Sequence, residues 1–377
     1  MNISLINYQL DRNFFSISAI SLLLFFMVLI GCSSINSRRI SEEKIIGIKI
    51  YNISGDTEAL FKKWTSLGIN TVFASPELVN DEFKLLANRY NIKTFLVLPI
   101  FYNPDMLKNN PDLYAIKNNG EIAVNEWVKF VCPSRTEYRK QKIEYIISLI
   151  TKHEPDGLSL DFIRHFVYWE KVYPDQQPDM IPNTCYCPHC INSFSSETGI
   201  VIPASIIEVA DISDWINNNY KEEWINWRKN VITSMVKDIS EEAKKIKPSI
   251  KINIHAVPWR QNDFNNAIEV VAGQDFKSIS AYVDIISPMC YAHMLKRKPE
   301  WINSVVEDIS LKVKCKIAPS IQVNMAYLND PLDIGEFKKS LIESLKPPSS
   351  GVIFWSWEQL VERQEKLDIL KDVISSY

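Results

Sequence analysis

Three thiols crowd into Cys185-Tyr-Cys187-Pro-His189-Cys190. Thiols this close suit tetrahedral metal ligation better than disulfides, because so short a loop strains S–S geometry. A four-thiolate zinc site needs one more donor. Cys132-Pro133, on an earlier loop, is the best-placed thiol, and His189 could replace one Cys. A disulfide pair with spare thiols is the alternative, reasonable for an exported chain. Either way the cluster closes on itself and is structural, since a catalytic zinc keeps an open position. Cys290 and Cys315 lie in apolar strand contexts and read as core thiols.

The second chemical group is a set of polar and aromatic residues where apolar runs end: Glu77, Asp161, Arg164, His165, His255, Trp259, Tyr291, His293, Gln322, Trp355, Trp357 and Glu358. Carboxylates, imidazoles and aromatics converging from several strands would make a polar pocket. Asp161 closes a hydrophobic strand where no structural need for a charge is evident, and the nearby Arg164 would keep it ionised, as a nucleophile or electrostatic stabiliser requires. Cleavage of a glycosidic bond needs a second carboxyl as proton donor. Glu358, after Trp355-Ser-Trp357, and Glu77 are the expected donors, because desolvation between aromatics raises a carboxyl pKa. Each could instead be a first-turn helix Glu, and Asp161 with Arg164 could be a plain salt bridge. His165, His255 and His293 could donate to sugar hydroxyls or serve only in the core. No Gly-x-Ser-x-Gly elbow, P-loop or His-Glu-x-x-His occurs, so serine-hydrolase, nucleotide and zinc-protease readings lack support.

Eight short apolar runs must position these groups: 45–52, 70–75, 93–101, 156–162, 251–257, 284–291, 316–323 and 351–357. Continuous β-branched runs mark strands buried on both faces of a parallel sheet. Amphipathic stretches alternate with them, the longest over 214–247. The pattern predicts an α/β fold, a single (β/α)8 TIM barrel over 45–377, with long functional loops after strand three (102–133) and strand four (163–193). A doubly wound sheet is the alternative, but no Gly-rich turn follows the first strand. With 42 Lys+Arg against 45 Asp+Glu and no basic run, nothing provides the positive face a nucleic-acid binder needs. No organic cofactor is expected.

Residues 14–30 are uncharged and apolar and end in Leu29-Ile30-Gly31-Cys32, which resembles the bacterial lipobox. The reading is a lipoprotein signal peptide over 1–31, lipidation at Cys32, and a polar tether over 32–44. A transmembrane anchor with an incidental Cys is the alternative. The expected protein is exported and anchored through its N-terminal lipid to a membrane of the bacterial cell envelope.

CYCPHCINSF together with FVCPSRTEYRK resembles family 42 β-galactosidases and the hypothetical glycosyl-hydrolase families near them. DGLSLDFIRH, DIISPMCYAHML and GVIFWSWE resemble strand ends of that second group. The resemblance implies a TIM barrel with a structural zinc on Cys132, Cys185, Cys187 and Cys190 beside a sugar site. It departs at strand four, where the β-galactosidases carry Asn-Glu and this chain has Asp161-Phe162. A chitinase pattern fails there too, at Ser159 and Ile163, whereas a loose likeness to α-glycosidases would make Asp161 the nucleophile. The expected function is an extracytoplasmic glycoside hydrolase acting on an oligo- or polysaccharide. The alternative is a non-catalytic surface carbohydrate-binding lipoprotein on the same scaffold.

Overall fold

The computed structural model describes residues 44–377. The signal peptide, Cys32 and nearly all of the tether lie outside the described residues. Within them no helix is long and apolar enough to cross a membrane.

Nine parallel strands form one curled sheet: β1 (Ile45–Ile50), β2 (Thr71–Ala74), β3 (Lys93–Pro99), β4 (Gly157–Asp161), β5 (Lys251–Ala256), β6 (Ile285–Pro288), β7 (Lys316–Ile317), β8 (Ser320–Gln322) and β9 (Gly351–Trp355). Their order is β8-β9-β1-β2-β3-β4-β5-β6-β7. Helices intervene between successive strands except β7 and β8. The fold departs from the expected eight-stranded closed barrel at 316–323, which is two short strands at opposite ends of the sheet order. Pro319 has no N–H to give to a ladder. The Ala318 N–H donates to Ile286 O (3.0 Å) on one side, and Pro319 O accepts from the Ile353 N–H (2.9 Å) on the other.

Alternation sorts each strand into two faces. Ile46, Ile48 and Ile50 of β1 join the large core under the helices, while a second cluster of Phe73, Phe95, Val97, Ile285, Ala318 and Ile353 fills the inside of the curl. Gly157 makes room for it: a Cβ there would sit 2.3 Å from the Phe95 ring. Further along the strands the interior turns polar. Asn253 donates to Ser159 Oγ (2.8 Å), Ser287 donates to Asn253 Oδ1 (2.7 Å), and Ser159 Oγ lies 2.9 Å from His255 Nε2. Lys49, 1% exposed, lies in register with Phe73 of β2 and is close enough to His255 to lower its pKa.

The helix expected over 214–247 is two helices, Val209–Asn219 and Lys221–Ile246, broken at Tyr220. Three consecutive asparagines precede the break, and Asn side chains compete for backbone groups; Asn219 Nδ2 donates to Trp215 O at 2.7 Å. Both long loops are ordered. The first carries the helix Pro104–Asn109 and a two-stranded hairpin, Val124–Asn125 with Val128–Lys129. The second carries the 3-10 turn Trp169–Lys171 and leads into the helix Pro188–Thr198.

Candidate active site and cysteine cluster

Asp161 is the last residue of β4, and its Oδ1 accepts from the Phe162 N–H at 2.8 Å. Burial pushes its pKa up, but His255, Lys49, Arg164 and that amide together hold it below the ordinary carboxylate value. His255 is itself driven by burial to about 3, with Lys49 adding to the effect, so at neutral pH it is uncharged. The charges facing Asp161 there are Lys49 and Arg164. Lys49 Nζ donates to Tyr291 Oη (3.3 Å), and burial lowers its pKa to about 8 against the pull of Asp161. The Tyr291 ring stacks on Trp355 with centroids 4.5 Å apart, and Trp169 lies 5.9 Å away on the other loop.

Arg164 is 1% exposed, its guanidinium packed over the rings of Phe162 (5.0 Å) and Phe130 (5.2 Å). Its Nε and Nη1 have no hydrogen-bond partner among the described residues. Its charge is shared by two carboxylates, Glu170 and Asp161. Glu170, 8% exposed in the turn Trp169–Lys171, is a buried carboxyl beside Arg164 that the sequence did not single out. Burial raises its pKa to about 7, with Arg164 opposing and Asp161 adding to the rise, and its buried Oε2 has no hydrogen-bond partner among the described residues. Its one sequence signal is a carboxyl directly following Tyr168-Trp169 in a long loop.

The two expected proton donors, Glu358 and Glu77, are placed differently from each other. Glu358 Oε1 accepts from the backbone N–H groups of Tyr51 (2.6 Å) and Asn52 (2.9 Å), which ties the end of β1 to the turn after β9. Its Oε2 is buried without a partner. Tyr51 is 47% exposed overall, but desolvation of its hydroxyl end, then the charges of Asp161 and Glu358, raise its pKa. Glu77 is exposed on the 3-10 turn Pro76–Leu78, and its charge is felt by Tyr145 on the outer helix Thr136–His153.

The other expected pocket residues divide. Tyr291, Trp355, Arg164 and His255 gather around Asp161. Trp357 turns away, meeting Trp64 of the helix Thr57–Ser66 edge-on at 5.9 Å. Trp259 is buried against Phe264. His165 packs behind the site, its Nε2 3.1 Å from Arg228 O, and burial drives its pKa far down, so it stays neutral. His293 lies between Glu336 Oε2 (3.0 Å) and Asp330 O (2.9 Å), in a separate cleft with Lys296 and Arg297.

Cys132, Cys185, Cys187 and Cys190 are buried, unpaired, and bring their sulfurs within 4.8 Å of one another. Cys132 Sγ lies 3.3 Å from Cys190 Sγ and 3.6 Å from Cys187 Sγ. Four sulfurs around a zinc with 2.3 Å bonds are about 3.8 Å apart, so the group has the size of a tetrahedral metal site. The Ile116 N–H donates to Cys185 Sγ (3.3 Å), and the Ser134 hydroxyl lies 3.0 Å from Cys190 Sγ. Buried Arg228 is within electrostatic reach of Cys185 and Cys190, a fitting counter-charge for thiolates. His189 does not join the group; its Nε2 lies 3.0 Å from Ser134 O.

No family model and no curated relative matches the sequence. Solved structures do match the fold. The glycoside hydrolase domain of PgaB (BpsB) from Bordetella bronchiseptica superposes with a TM-score of 0.63 at 12% identity, covering 88% of this chain and 98% of that one. The β-galactosidase of the psychrophile Marinomonas ef1 gives 0.63 at 10% identity over 88% of this chain and 59% of its own. Gan42B, a family 42 β-galactosidase from G. stearothermophilus, gives 0.57 at 11% identity over 88% and 56%. This chain spans a little over half the length of those two β-galactosidases. At such identities the likeness is one of fold alone, a TIM-barrel-like α/β fold shared with these glycoside hydrolases.

Proposed function

We propose that this chain hydrolyses glycosidic bonds, with Asp161 as the ionised carboxylate and Glu170 as the proton donor. The observation that carries the reading is the pair itself: two carboxyls share buried Arg164, one held below its ordinary pKa and one raised toward neutrality. Environments that push two titrating groups apart suit an acid and a base at one site. Glu358, engaged by two backbone amides, is assigned to positioning Tyr51, and Glu77 to the surface. Half-buried Trp355, backed by the stacked ring of Tyr291, offers a ring face to a sugar. The substrate is an oligo- or polysaccharide.

The pH profile tests the pair. Glu170 must be protonated and Asp161 ionised, so kcat/KM on a saccharide found by panel screening should decline above about pH 7 and on the acid side only below the ordinary carboxylate range. Glu170→Gln should remove the alkaline limb and lower activity by roughly 10²- to 10⁴-fold. Stability supplies an independent sign. The folded pKa of Glu170 lies above its unfolded value, so its contribution is complete below the unfolded pKa and lost as pH rises through about 7. Glu170→Gln should therefore be more stable than wild type at pH 8 relative to pH 4. An alkaline limb that survives in Glu170→Gln rejects Glu170 as the donor. Saccharide binding without turnover would favour the carbohydrate-binding alternative.

We further assign the four-cysteine cluster to a structural zinc. With every position taken by a thiolate, it would brace the two long loops and supply no chemistry to the substrate. Export and anchoring through Cys32 complete the proposal. Cys32→Ala should leave the protein unprocessed or soluble, whereas unchanged membrane fractionation would point to a transmembrane segment at 14–30 instead.

A further inference from the structure

Beside the carboxyl pair two rings are left in solvent. Trp127, in the turn of the hairpin on the first long loop, is 38% exposed, and Tyr327, after β8, is 40% exposed. Buried Tyr168 stands between them, edge-on to Trp127 (6.0 Å, 79°) and to Tyr327 (6.0 Å, 71°). Its hydroxyl donates to Glu126 at 2.9 Å, and Lys171 pairs with the same carboxylate. Tyr168 thus braces both rings, and the Tyr327 hydroxyl is also in hydrogen-bond contact with the Trp127 side chain.

Both rings connect to the reacting groups. Trp127 meets Phe162, the residue after Asp161, at 6.2 Å, and Phe162 stacks on Tyr102 at 4.8 Å. Tyr327 is close enough to Glu170 to feel its charge. Glu126, Phe162 and Tyr327 all hold left-handed φ values, 51°, 51° and 60°. Bulky residues rarely adopt that conformation, and it persists where surroundings impose it, often at ligand sites. Three separate loops therefore hold strained backbone around one exposed aromatic patch.

We propose that Trp127 and Tyr327 form a subsite for a second sugar ring on the leaving-group side of Glu170, so that the substrate is a saccharide chain and not a glycoside with a small aglycone. The placement rests on the hydrolase reading, because a proton donor lies beside the leaving oxygen and whatever bears it. A pyranose presents an apolar C–H face, and covering a half-exposed aromatic ring with it removes apolar surface from water. Rings fixed in advance by Tyr168 and Glu126 lose little freedom on binding.

Calorimetric titration of the full chain carrying Asp161→Asn tests the subsite without turnover. The probes are di-, tri- and hexasaccharides of β-1,4-linked glucose, N-acetylglucosamine and galactose. In at least one series affinity should rise about tenfold or more from disaccharide to hexasaccharide. Trp127→Ala and Tyr327→Ala should each remove about tenfold of that gain, while Trp127→Phe, which keeps a ring face, should retain most of it. Melting temperatures of the alanine variants identify any folding defect, and the Phe variant carries the comparison if one misfolds. Absence of binding in all three series, affinity independent of chain length, or a gain that survives both alanine variants would overturn the proposal. Failure of the hydrolase reading looks different: chains bind through Trp127, yet wild type cleaves none of them.

Discussion

Asp161→Asn should lower kcat by on the order of 10³-fold or more on any saccharide the wild type cleaves, a loss of about 4 kcal/mol of transition-state stabilisation. The substitution removes one negative charge between Lys49 and Arg164 while keeping an oxygen that can accept from the Phe162 amide. A nucleophile or base loses its chemistry entirely by that change. The fold has an outlet for the imbalance. Lys49 titrates at about 8 with Asp161 raising it; without that charge its pKa falls further, which favours the neutral amine. Arg164 retains Glu170 as a counter-ion, and the proton on Glu170 becomes easier to lose once Asp161 no longer opposes its ionisation. The variant should therefore fold, with its alkaline activity limb, if measurable, shifted toward lower pH. If Asp161 served only as a salt-bridge partner, the pattern would invert. Its depressed pKa makes its stabilising contribution present above the unfolded pKa and lost as pH falls through the folded one. Asp161→Asn would then melt lower at neutral pH while activity per folded molecule stayed near wild type.

Much of this site was legible because it lies on strands. Asp161, His255 and Trp355 sit on or at the end of apolar runs, where period-two alternation fixes which side chains face inward. Trp357 shows where that inference stops. Continuing the alternation past Trp355 puts both rings on one face, but the strand ends at Trp355 and Trp357 opens a short helix, so its ring swings outward to Trp64. His165 lies beyond the reach of that alternation, four residues past the end of β4, with its N–H bonded to Ala272 O, in keeping with the core role the sequence left open. The break at 316–323 was visible in principle as Pro319 inside a strand-like run. Glu170 was not. It lies in an aperiodic loop, and its chemistry comes from burial beside Arg164 and Asp161, which no local pattern encodes. Glu358 shows the reverse: a setting between aromatics suggested a desolvated acid, but the end of β1 approaches from far along the chain and claims one of its oxygens.

The cysteine cluster was the most legible element, and its removal carries the other large expected effect. Purified protein prepared without chelator should contain about one zinc per chain, and Cys187→Ser should abolish stoichiometric binding. Structural zinc contributes on the order of 10–16 kcal/mol in zinc-finger peptides, where it is nearly the whole folding free energy. Here a large core exists without it, so the metal stabilises only the segments it joins: Cys132 before the helix Thr136–His153, and Cys185 to Cys190 leading into the helix Pro188–Thr198. Losing roughly 5 kcal/mol there would lower the melting temperature by about 10 °C. The damage should be local first. The loop ending at Cys132 carries Trp127 and the loop leading to Cys185 carries Glu170, so metal-free protein should lose both the proposed donor's fixed burial and the bracing of the aromatic patch. Chelation should accordingly reduce activity at temperatures well below the melting point, and protease nicking should concentrate within 102–133 and 163–193. Stably folded, metal-free protein with these thiols paired as disulfides would reject the zinc assignment, because a disulfide pair could staple the same loops without a fourth thiolate.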